Sequence, residues 1–317
     1  MTQQKLVVGT RGSALALWQT DHVVEQLQAL NPDLQVEVRT IKTLGDQVRD
    51  RALAQVGSKG LFVKEIEAAL LAGEIDLAVH SLKDMPTQLP PALSLGAILE
   101  RADPRDALVV RGEAAELDQL PEGALVGTSS LRRRAQLLAI RPDLRVQDIR
   151  GNVDTRLRKL REGQYDALIL AAAGLVRLGH SEAISQLLPV ERMLPAVGQG
   201  ALCAEVRAAD QSTSALVAQL DHLPTHQEAD AERAFLRRLG GGCQVPIGAY
   251  AQVSGANLYL RGLVASLDGT KIVRDEIQGA ASEAAHLGTI LAGRLLAAGA
   301  TVLLEEIERT QWPEEKR

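Results

Sequence analysis

Basic residues are concentrated in one short part of the chain. Ten Lys and Arg residues fall between Arg132 and Arg161, against three Asp, so these thirty residues carry an excess of seven positive charges. The whole chain has a formal net charge of −5. Guanidinium groups bind carboxylates and phosphates through paired N–H donors. The stretch therefore predicts a site for a ligand with several anionic groups.

The sequence around these arginines predicts strand-to-helix turns. A strand over 124–130 leads directly into a helix over 131–140, so that Ser129 or Ser130 can cap the helix. Free N–H groups and the positive end of the helix dipole favour an anion at such a turn. Neither a GK[ST] loop nor a dinucleotide fingerprint is present, so carboxylates fit this site better than a nucleotide.

A second group of candidate residues precedes the basic stretch. Arg11 and Ser13 follow the first predicted strand, and HSLKDMP places Lys83 and Asp84 after another one. Strand ends in open α/β sheets are where ligands bind. Asp84 is a candidate catalytic carboxylate, although a helix cap or a partner of Lys83 would explain it as well.

The two cysteines lie in different surroundings. Cys243 follows three consecutive glycines, which allow a bend that a bulky group can approach, or else a tight turn with an incidental thiol. Cys203, within ALCAEV, fits a small buried residue. A cysteine nucleophile needs an activating partner, and none of the six histidines lies in a recognisable signature.

The elements that must position these residues follow an α/β pattern. Residues 5–81 alternate strand and helix, which predicts a parallel sheet with helices on its faces, and the pattern restarts after residue 100. Residues 42–60 are polar with three glycines and predict a mobile loop. The segment 194–206 is interpreted as the path between units. Strands within 248–266 and a helix over 281–300 predict a third, smaller α/β domain.

Composition restricts the class of protein. Apolar residues make up 46% of the chain but aromatic residues only 2%, which predicts an aliphatic core. The negative net charge argues against nucleic-acid binding. We find no signal-peptide pattern, no apolar run near the roughly 18 residues of a membrane span, and no zinc-ligand spacing. A soluble cytoplasmic protein without a metal is expected.

Eight segments resemble the porphobilinogen deaminase (hydroxymethylbilane synthase) family, in order along nearly the whole chain. They are GTRGSALALWQ (9–19), VGSKGLFVKEIE (56–67), AVHSLKDMP (78–86), ERADPRDA (100–107), GTSSLRRRAQL (127–137), IRGNVDTRLRKL (149–160), LPAVGQGAL (194–202) and GGCQVPIGAYA (241–251). The resemblance implies a monomeric transferase that joins four porphobilinogen molecules into a linear tetrapyrrole. It also implies a dipyrromethane cofactor, bound to Cys243 by a thioether, that primes the chain.

The resemblance assigns roles to particular residues. Asp84 matches the catalytic carboxylate. Residues that match the cofactor site are Lys83, Thr128, Ser129, Arg132, Arg133, Arg150, Gly151 and Asp46. Residues that match the substrate site are Arg11, Ser13, Arg150, Arg156, Arg177, Lys59 and Phe62.

The family's architecture implies three domains. The first two would be periplasmic-binding-protein-like with a cleft between them, and the third would carry the cofactor cysteine. The implied boundaries are 1–99 with 196–218 for the first domain, 100–195 for the second and 222–317 for the third.

Two other functions are compatible with parts of the sequence. A non-enzymatic anion-binding module would share the two α/β lobes and the basic site, but it would have no use for the cysteine loop. A cysteine-nucleophile acyltransferase would use Cys243 as its nucleophile. A covalently bound pyrrole chromophore would distinguish the resemblance from both alternatives.

Overall fold

The computed structural model describes residues 5–43, 63–242 and 244–311. The chain divides into two compact units: residues up to Ala102 with Gly200–His226, and Asp103–Gln199 with the residues from Gln227 onward. The three predicted domain boundaries stay a prediction. Nearly all of the loop predicted over 42–60 lies outside the described residues.

Within the described residues, the first unit contains one sheet and three longer helices. Its strands are β1 (Lys5–Thr10), β2 (Gln35–Thr40), β3 (Leu77–Ser81), β4 (Leu93–Ile98) and β10 (Leu202–Arg207). Its longer helices are α1 (Ala14–Leu30), α2 (Lys64–Leu71) and α6 (Gln211–Val217). A further helix, α7 (Leu223–Arg238), begins in this unit and continues into the other.

The second unit contains two sheets. Its strands are β5 (Asp106–Val110), β6 (Leu125–Gly127), β7 (Arg145–Gln147), β8 (Ala167–Ala171), β9 (Gln186–Leu188), β11 (Ile247–Ser254), β12 (Asn257–Ala265) and β13 (Ile272–Ala280). Its helices are α3 (Leu131–Ile140), α4 (Val153–Arg161), α5 (Ala172–Arg177), α8 (Ala284–Leu295) and α9 (Thr301–Gln311), with the end of α7.

The sheet of the first unit has the strand order β2-β1-β3-β10-β4. β1 is parallel to β2 and β3, as predicted, but β10 is antiparallel to both of its neighbours. The predicted parallel sheet is confirmed for β1, β2 and β3, the strands of residues 5–81 from which it was inferred, and the antiparallel β10 lies outside that prediction. The predicted path over 194–206 contains the crossing between the two units, at Gln199–Gly200, but its second part also forms β10, which was not predicted as a strand. The chain leaves the unit after β4 and returns at Gly200, which lets β10 run in the opposite direction.

The larger sheet of the second unit repeats this arrangement. Its order is β7-β6-β8-β5-β9, with β6 parallel to β7 and β8, and β5 antiparallel to β8 and β9. In both sheets the fourth position is taken by an antiparallel strand that follows a crossing of the chain from one unit to the other. The predicted α/β class with two similar sheets is confirmed.

The third sheet is antiparallel, in the order β11-β12-β13. Helices α7 and α8 contribute Phe235 and Leu291, both fully buried, to the core beside it. The two helices pack so closely that glycine is required at position 288, because a Cβ there would lie 2.1 Å from the carbonyl oxygen of Ala231. The stretch Ala281–Thr310 has the length and composition of a membrane span, but Leu291 and Leu295 within it belong to this core.

Candidate active site

Hydroxyl groups organise the start of α3. Ser130 caps the helix by accepting a hydrogen bond from the Arg133 backbone N–H at 3.4 Å, and its own N–H donates to Thr128 Oγ1. The Ser129 hydroxyl donates to the Ile149 carbonyl at 2.6 Å and accepts from the Ile149 N–H at 3.0 Å. Ser129 thus ties the residues that follow β6 to those that follow β7. Of the two predicted capping serines, Ser130 is the cap.

A buried carboxylate holds the first two arginines of α3. Asp106 is fully buried and accepts from Arg132 Nη1 at 2.6 Å, Arg133 Nη2 at 2.8 Å and Gln199 Nε2 at 2.9 Å. Arg132 Nη1 also donates to the Leu194 carbonyl at 2.7 Å. Burial alone would raise the pKa of Asp106, but the charges of Arg132 and Arg133 outweigh it and hold that pKa well below its usual range.

Sequence reasoning assigned no role to Asp106 or Gln199. Both lie in segments that carry the family resemblance, ERADPRDA and LPAVGQGAL. The available signal was an acidic residue at the start of a strand that is otherwise apolar. An acidic side chain there requires a buried cationic partner, and the two adjacent arginines supply it.

Arg156 is held differently from the pair on Asp106. Its Nε donates to the Gly151 carbonyl at 2.9 Å, and no other hydrogen bond joins its guanidinium to a residue of the described ranges. Burial lowers the pKa of Arg156 to about 10, and the positive charge of Arg133 adds to that effect. Arg156 is therefore a half-buried cation whose two terminal nitrogens lack an anionic partner within the part of the chain that is described.

The backbone that holds Arg156 requires glycine. Gly151 has φ of +111°, in the left-handed region that favours glycine. A Cβ on Gly151 would lie 2.5 Å from Thr155 Cγ2. Asn152 then caps α4 by accepting from the Thr155 N–H at 2.9 Å.

The other two basic residues predicted for this site follow neighbouring strands. Arg150 follows β7, and its carbonyl accepts a hydrogen bond from Lys159 Nζ at 3.2 Å. Arg177 lies in the last turn of α5, directly after β8, and burial lowers its pKa to about 10. Because β6, β7 and β8 are parallel, the segments that follow them begin at one edge of the sheet. The structure brings eight predicted residues to that edge: Thr128, Ser129, Arg132, Arg133, Arg150, Gly151, Arg156 and Arg177.

The first unit has the corresponding arrangement at its own parallel strands. Arg11 and Ser13 follow β1, and Ser13 caps α1 by accepting from the Ala16 N–H at 3.2 Å. Gln19 of α1 donates through Nε2 to Ser81 Oγ at 2.9 Å, which ties the helix to the end of β3. The structure therefore places Arg11 and Ser13 at the same edge of the sheet as the residues that follow β3.

Asp84 ends a short 3-10 turn, Leu82–Asp84, directly after β3. It is exposed, and its carboxylate makes no hydrogen bond or ion pair with any described residue. Lys83 precedes it in the same turn. Neither alternative considered from the sequence, a helix cap or a partner of Lys83, accounts for Asp84.

A buried ionisable cluster involves β3, the strand that precedes this turn. His80 Nε2 and Glu205 Oε2 are 3.1 Å apart, and both side chains are almost fully buried. Burial raises the pKa of Glu67 on α2, and the nearby charge of Glu205 raises it further, while His80 and Lys64 oppose the rise. The cluster connects α2 to the strand that precedes Asp84.

Two models of protein families match the chain. One, described as porphobilinogen deaminase, dipyromethane cofactor binding domain, matches residues 6–215. The other, described as porphobilinogen deaminase, C-terminal domain, matches residues 226–297. The chain belongs to the porphobilinogen deaminase family.

Curated relatives match over nearly their full length. Porphobilinogen deaminase from Geobacter metallireducens is 52% identical over 316 residues, which cover 100% of this chain and 99% of that protein. The porphobilinogen deaminase from Synechococcus elongatus is 54% identical, with 97% of each chain covered. The one from Pelobacter propionicus is 53% identical, with 97% of this chain and 98% of that protein covered.

Solved structures of periplasmic proteins are distantly similar. A TRAP periplasmic solute binding protein from Desulfovibrio salexigens matches with a TM-score of 0.43 and 11% identity, over 69% of this chain and 73% of that one. The ytmK amino-acid transporter binding protein from Bacillus subtilis matches with a TM-score of 0.41 and 11% identity, over 68% and 90%. At these TM-scores the similarity carries no argument about function.

Membership of the porphobilinogen deaminase family confirms the class of reaction. The chain is a transferase of tetrapyrrole biosynthesis that polymerises porphobilinogen and has a dipyrromethane cofactor. The roles of individual residues stay predictions. Four of the predicted residues lie outside the described ranges: Asp46, Lys59, Phe62 and Cys243. Cys203 is fully buried, as expected. Within the described residues, no group of three His, Cys, Asp or Glu side chains is arranged to hold a metal.

Proposed function

We propose that this porphobilinogen deaminase joins four porphobilinogen molecules head to tail into hydroxymethylbilane, with a thioether from Cys243 to dipyrromethane. In each addition the bond from the methylene carbon to the amino group breaks and ammonia leaves. A carbon–carbon bond then forms to the free α-carbon of the terminal pyrrole, which loses its proton. When bound, dipyrromethane supplies the first such α-carbon. The finished chain is released by water.

The observation that carries the proposal is the state of Arg156. Each porphobilinogen unit brings an acetate and a propionate, so its receptor needs at least one cationic group that no carboxylate of the protein already occupies. Arg156 is desolvated and its terminal nitrogens have no partner within the described ranges. A carboxylate there would form a charge-assisted, bidentate pair. This donor set fits the carboxylate-bearing cofactor and substrate of the family.

We assign the remaining residues by their match to the family. On the cofactor side we propose Lys83, Thr128, Ser129, Arg132, Arg133, Arg150, Gly151 and Asp46. On the substrate side we propose Arg11, Ser13, Arg150, Arg156, Arg177, Lys59 and Phe62. We further propose a monomer that acts in the cytoplasm.

Asp84 is the proposed catalytic group. Loss of ammonia leaves a cationic methylene-pyrrole, and the attacking ring becomes cationic before it loses its proton. An anionic carboxylate fixed beside these rings stabilises both cations and accepts pyrrole N–H hydrogen bonds. The Asp84 carboxylate is available for this because no described residue occupies it. No covalent bond to Asp84 is required.

The test compares two aspartates of the same unit. Asp33 is exposed and, like Asp84, makes no hydrogen bond or ion pair with a described residue. We expect Asp84→Asn to lower the rate of ammonia release from porphobilinogen at least about 100-fold, in the range of electrostatic catalytic groups. The thermal midpoint should stay unchanged. Asp33→Asn should behave as wild type. Near-normal turnover by Asp84→Asn would refute the role.

A further inference from the structure

Asp106 is a buried charge that the roles proposed above leave unexplained. It lies at the start of β5 with no exposed surface, and it accepts hydrogen bonds from two arginines and an amide. Arg133 donates to the same oxygen twice, through Nε at 2.9 Å and Nη2 at 2.8 Å. The carboxylate thus fixes the direction of two guanidinium planes at once.

The arginines on Asp106 have little freedom left. Arg132 and Arg133 are only 4% and 7% exposed. Arg133 Nη1 also donates to the Ile169 carbonyl at 3.2 Å, and its Nη2 lies 3.4 Å from Gln199 Oε1. These two side chains therefore present charge from a fixed place, whereas the terminal nitrogens of Arg156 meet no described residue.

The balance of charge in this cluster matters for Arg156. Two guanidinium ions on one carboxylate leave one net positive charge. The charge of Arg133 already acts on Arg156 and helps to lower its pKa. Without Asp106, two uncompensated cations would lie beside a third, and buried like charges repel strongly.

We propose that Asp106 is a positioning residue for the reaction. It locks Arg132 and Arg133 beneath the carboxylate-binding edge of the sheet, so that their net charge is presented to the anionic chain in one geometry next to Arg156. This inference rests on the proposed function, because the positioned groups are those proposed to face the cofactor. Asp106 itself touches neither cofactor nor substrate in this account.

The test uses an isosteric variant and a matched control. Asp106→Asn replaces the buried acceptor by an amide whose nitrogen would face the donors of Arg132 and Arg133. Asp118 is the control, since it pairs with Arg192 at 2.8 Å in the same unit but is largely exposed. All measurements are made at a temperature at which the circular dichroism of each variant matches wild type.

The first readout does not depend on activity. Phenylglyoxal, an arginine-specific dicarbonyl, is reacted with each protein, and the modified positions are mapped by tandem mass spectrometry. We expect Arg132 and Arg133 to be protected in wild type and in Asp118→Asn, and to react at least about tenfold faster in Asp106→Asn. Unchanged protection in folded Asp106→Asn would overturn the proposal.

The second readout separates positioning from a structural role. Folded Asp106→Asn should take up the pyrrole adduct from porphobilinogen at least about tenfold more slowly, and kcat/KM should fall by a similar factor. Lost protection together with normal uptake and normal kcat/KM would show a purely structural carboxylate and would overturn the proposal.

A second variant keeps the proposal testable if Asp106→Asn does not fold. If Asp106→Asn does not fold, Asp106→Asn combined with Arg132→Gln removes one charge of each sign and is measured in its place, with the same results expected at Arg133. If neither folds, Asp106 is structural and the proposal is overturned. A wild-type protein without adduct or activity would instead refute the proposed function, and the protection of the two arginines would still be measurable.

Discussion

Replacing Arg156 tests the proposed carboxylate site, because the burial of this side chain allows its contribution to the binding free energy to be worked out. Burial lowers the pKa of Arg156 from its ordinary value to about 10. At about 1.4 kcal/mol per pKa unit, desolvation costs the charged form about 3 kcal/mol. A bound carboxylate recovers part of this cost, and a hydrogen bond to a charged group contributes about 1.5–3 kcal/mol. We take about 2 kcal/mol as the net contribution to binding.

Arg156→Gln should therefore lower kcat/KM about 30-fold, because about 1.4 kcal/mol corresponds to a factor of ten. The assay is the initial rate of ammonia release over a range of porphobilinogen concentrations. Most of the effect should appear in KM, since the fork binds the carboxylates before and after each addition alike.

The matched control lies on the same helix. Arg158 is 61% exposed at its side chain and pairs with Glu162 at 2.7 Å, so it is not desolvated. Arg158→Gln should change kcat/KM by less than about twofold, in line with the small contribution of an exposed ion pair. If Arg156→Gln also stays within about threefold of wild type, the reasoning from desolvation is refuted.

Two further predictions concern stability. Gly151→Ala should lower the free energy of unfolding by about 1–3 kcal/mol, because φ is +111° and the new Cβ would lie 2.5 Å from Thr155; urea unfolding measures this. Glu67→Gln should stabilise the protein more at pH 8 than at pH 4. Burial, and then the charge of Glu205, raises the pKa of Glu67 above 4.5, so the folded state disfavours the ionised carboxylate. The stability of the wild-type protein therefore falls as the pH rises from 4.5 through the pKa of Glu67 in the folded state.

Each of these predictions has its own control. Gly123 also has positive φ, +70°, but a Cβ there meets nothing within 4 Å, so Gly123→Ala should cost less than Gly151→Ala. Equal costs at the two glycines would show that the contact with Thr155 is irrelevant. For Glu67→Gln, an equal gain in the urea midpoint at pH 4 and pH 8 would contradict a raised pKa.

Local signals predicted many elements closely. The helix over 14–30 matches α1, because Ser13 supplies a capping hydroxyl and apolar residues follow at helical spacing. Strands β4, β9 and β13 were not predicted, and neither were helices α6 and α9. Five of the six residues of β10 are buried, so its sequence lacks the alternation of polar and apolar residues that marks a half-exposed strand. For this reason β10 was not predicted as a strand.

The candidate site was only partly predictable, because its decisive contacts are distant in sequence. Asp106 accepts from side chains 26 and 93 positions away, so the sequence alone offers no pattern that joins them. Arg156 and Arg158 are equally basic on one helix, yet only the fold determines that one is desolvated and the other exposed. The resemblance selected Arg156, and packing gives the physical reason.

The central claim, a pyrrole primer anchored on one cysteine, is tested most directly by the intact mass of the denatured protein with peptide mapping. We expect an added mass of two linked pyrrole units on the peptide that contains Cys243. Cys243→Ser should abolish the adduct, while Cys203→Ser should retain it, because Cys203 is fully buried in β10. A wild-type chain that stays unmodified and inert after incubation with porphobilinogen would contradict the account.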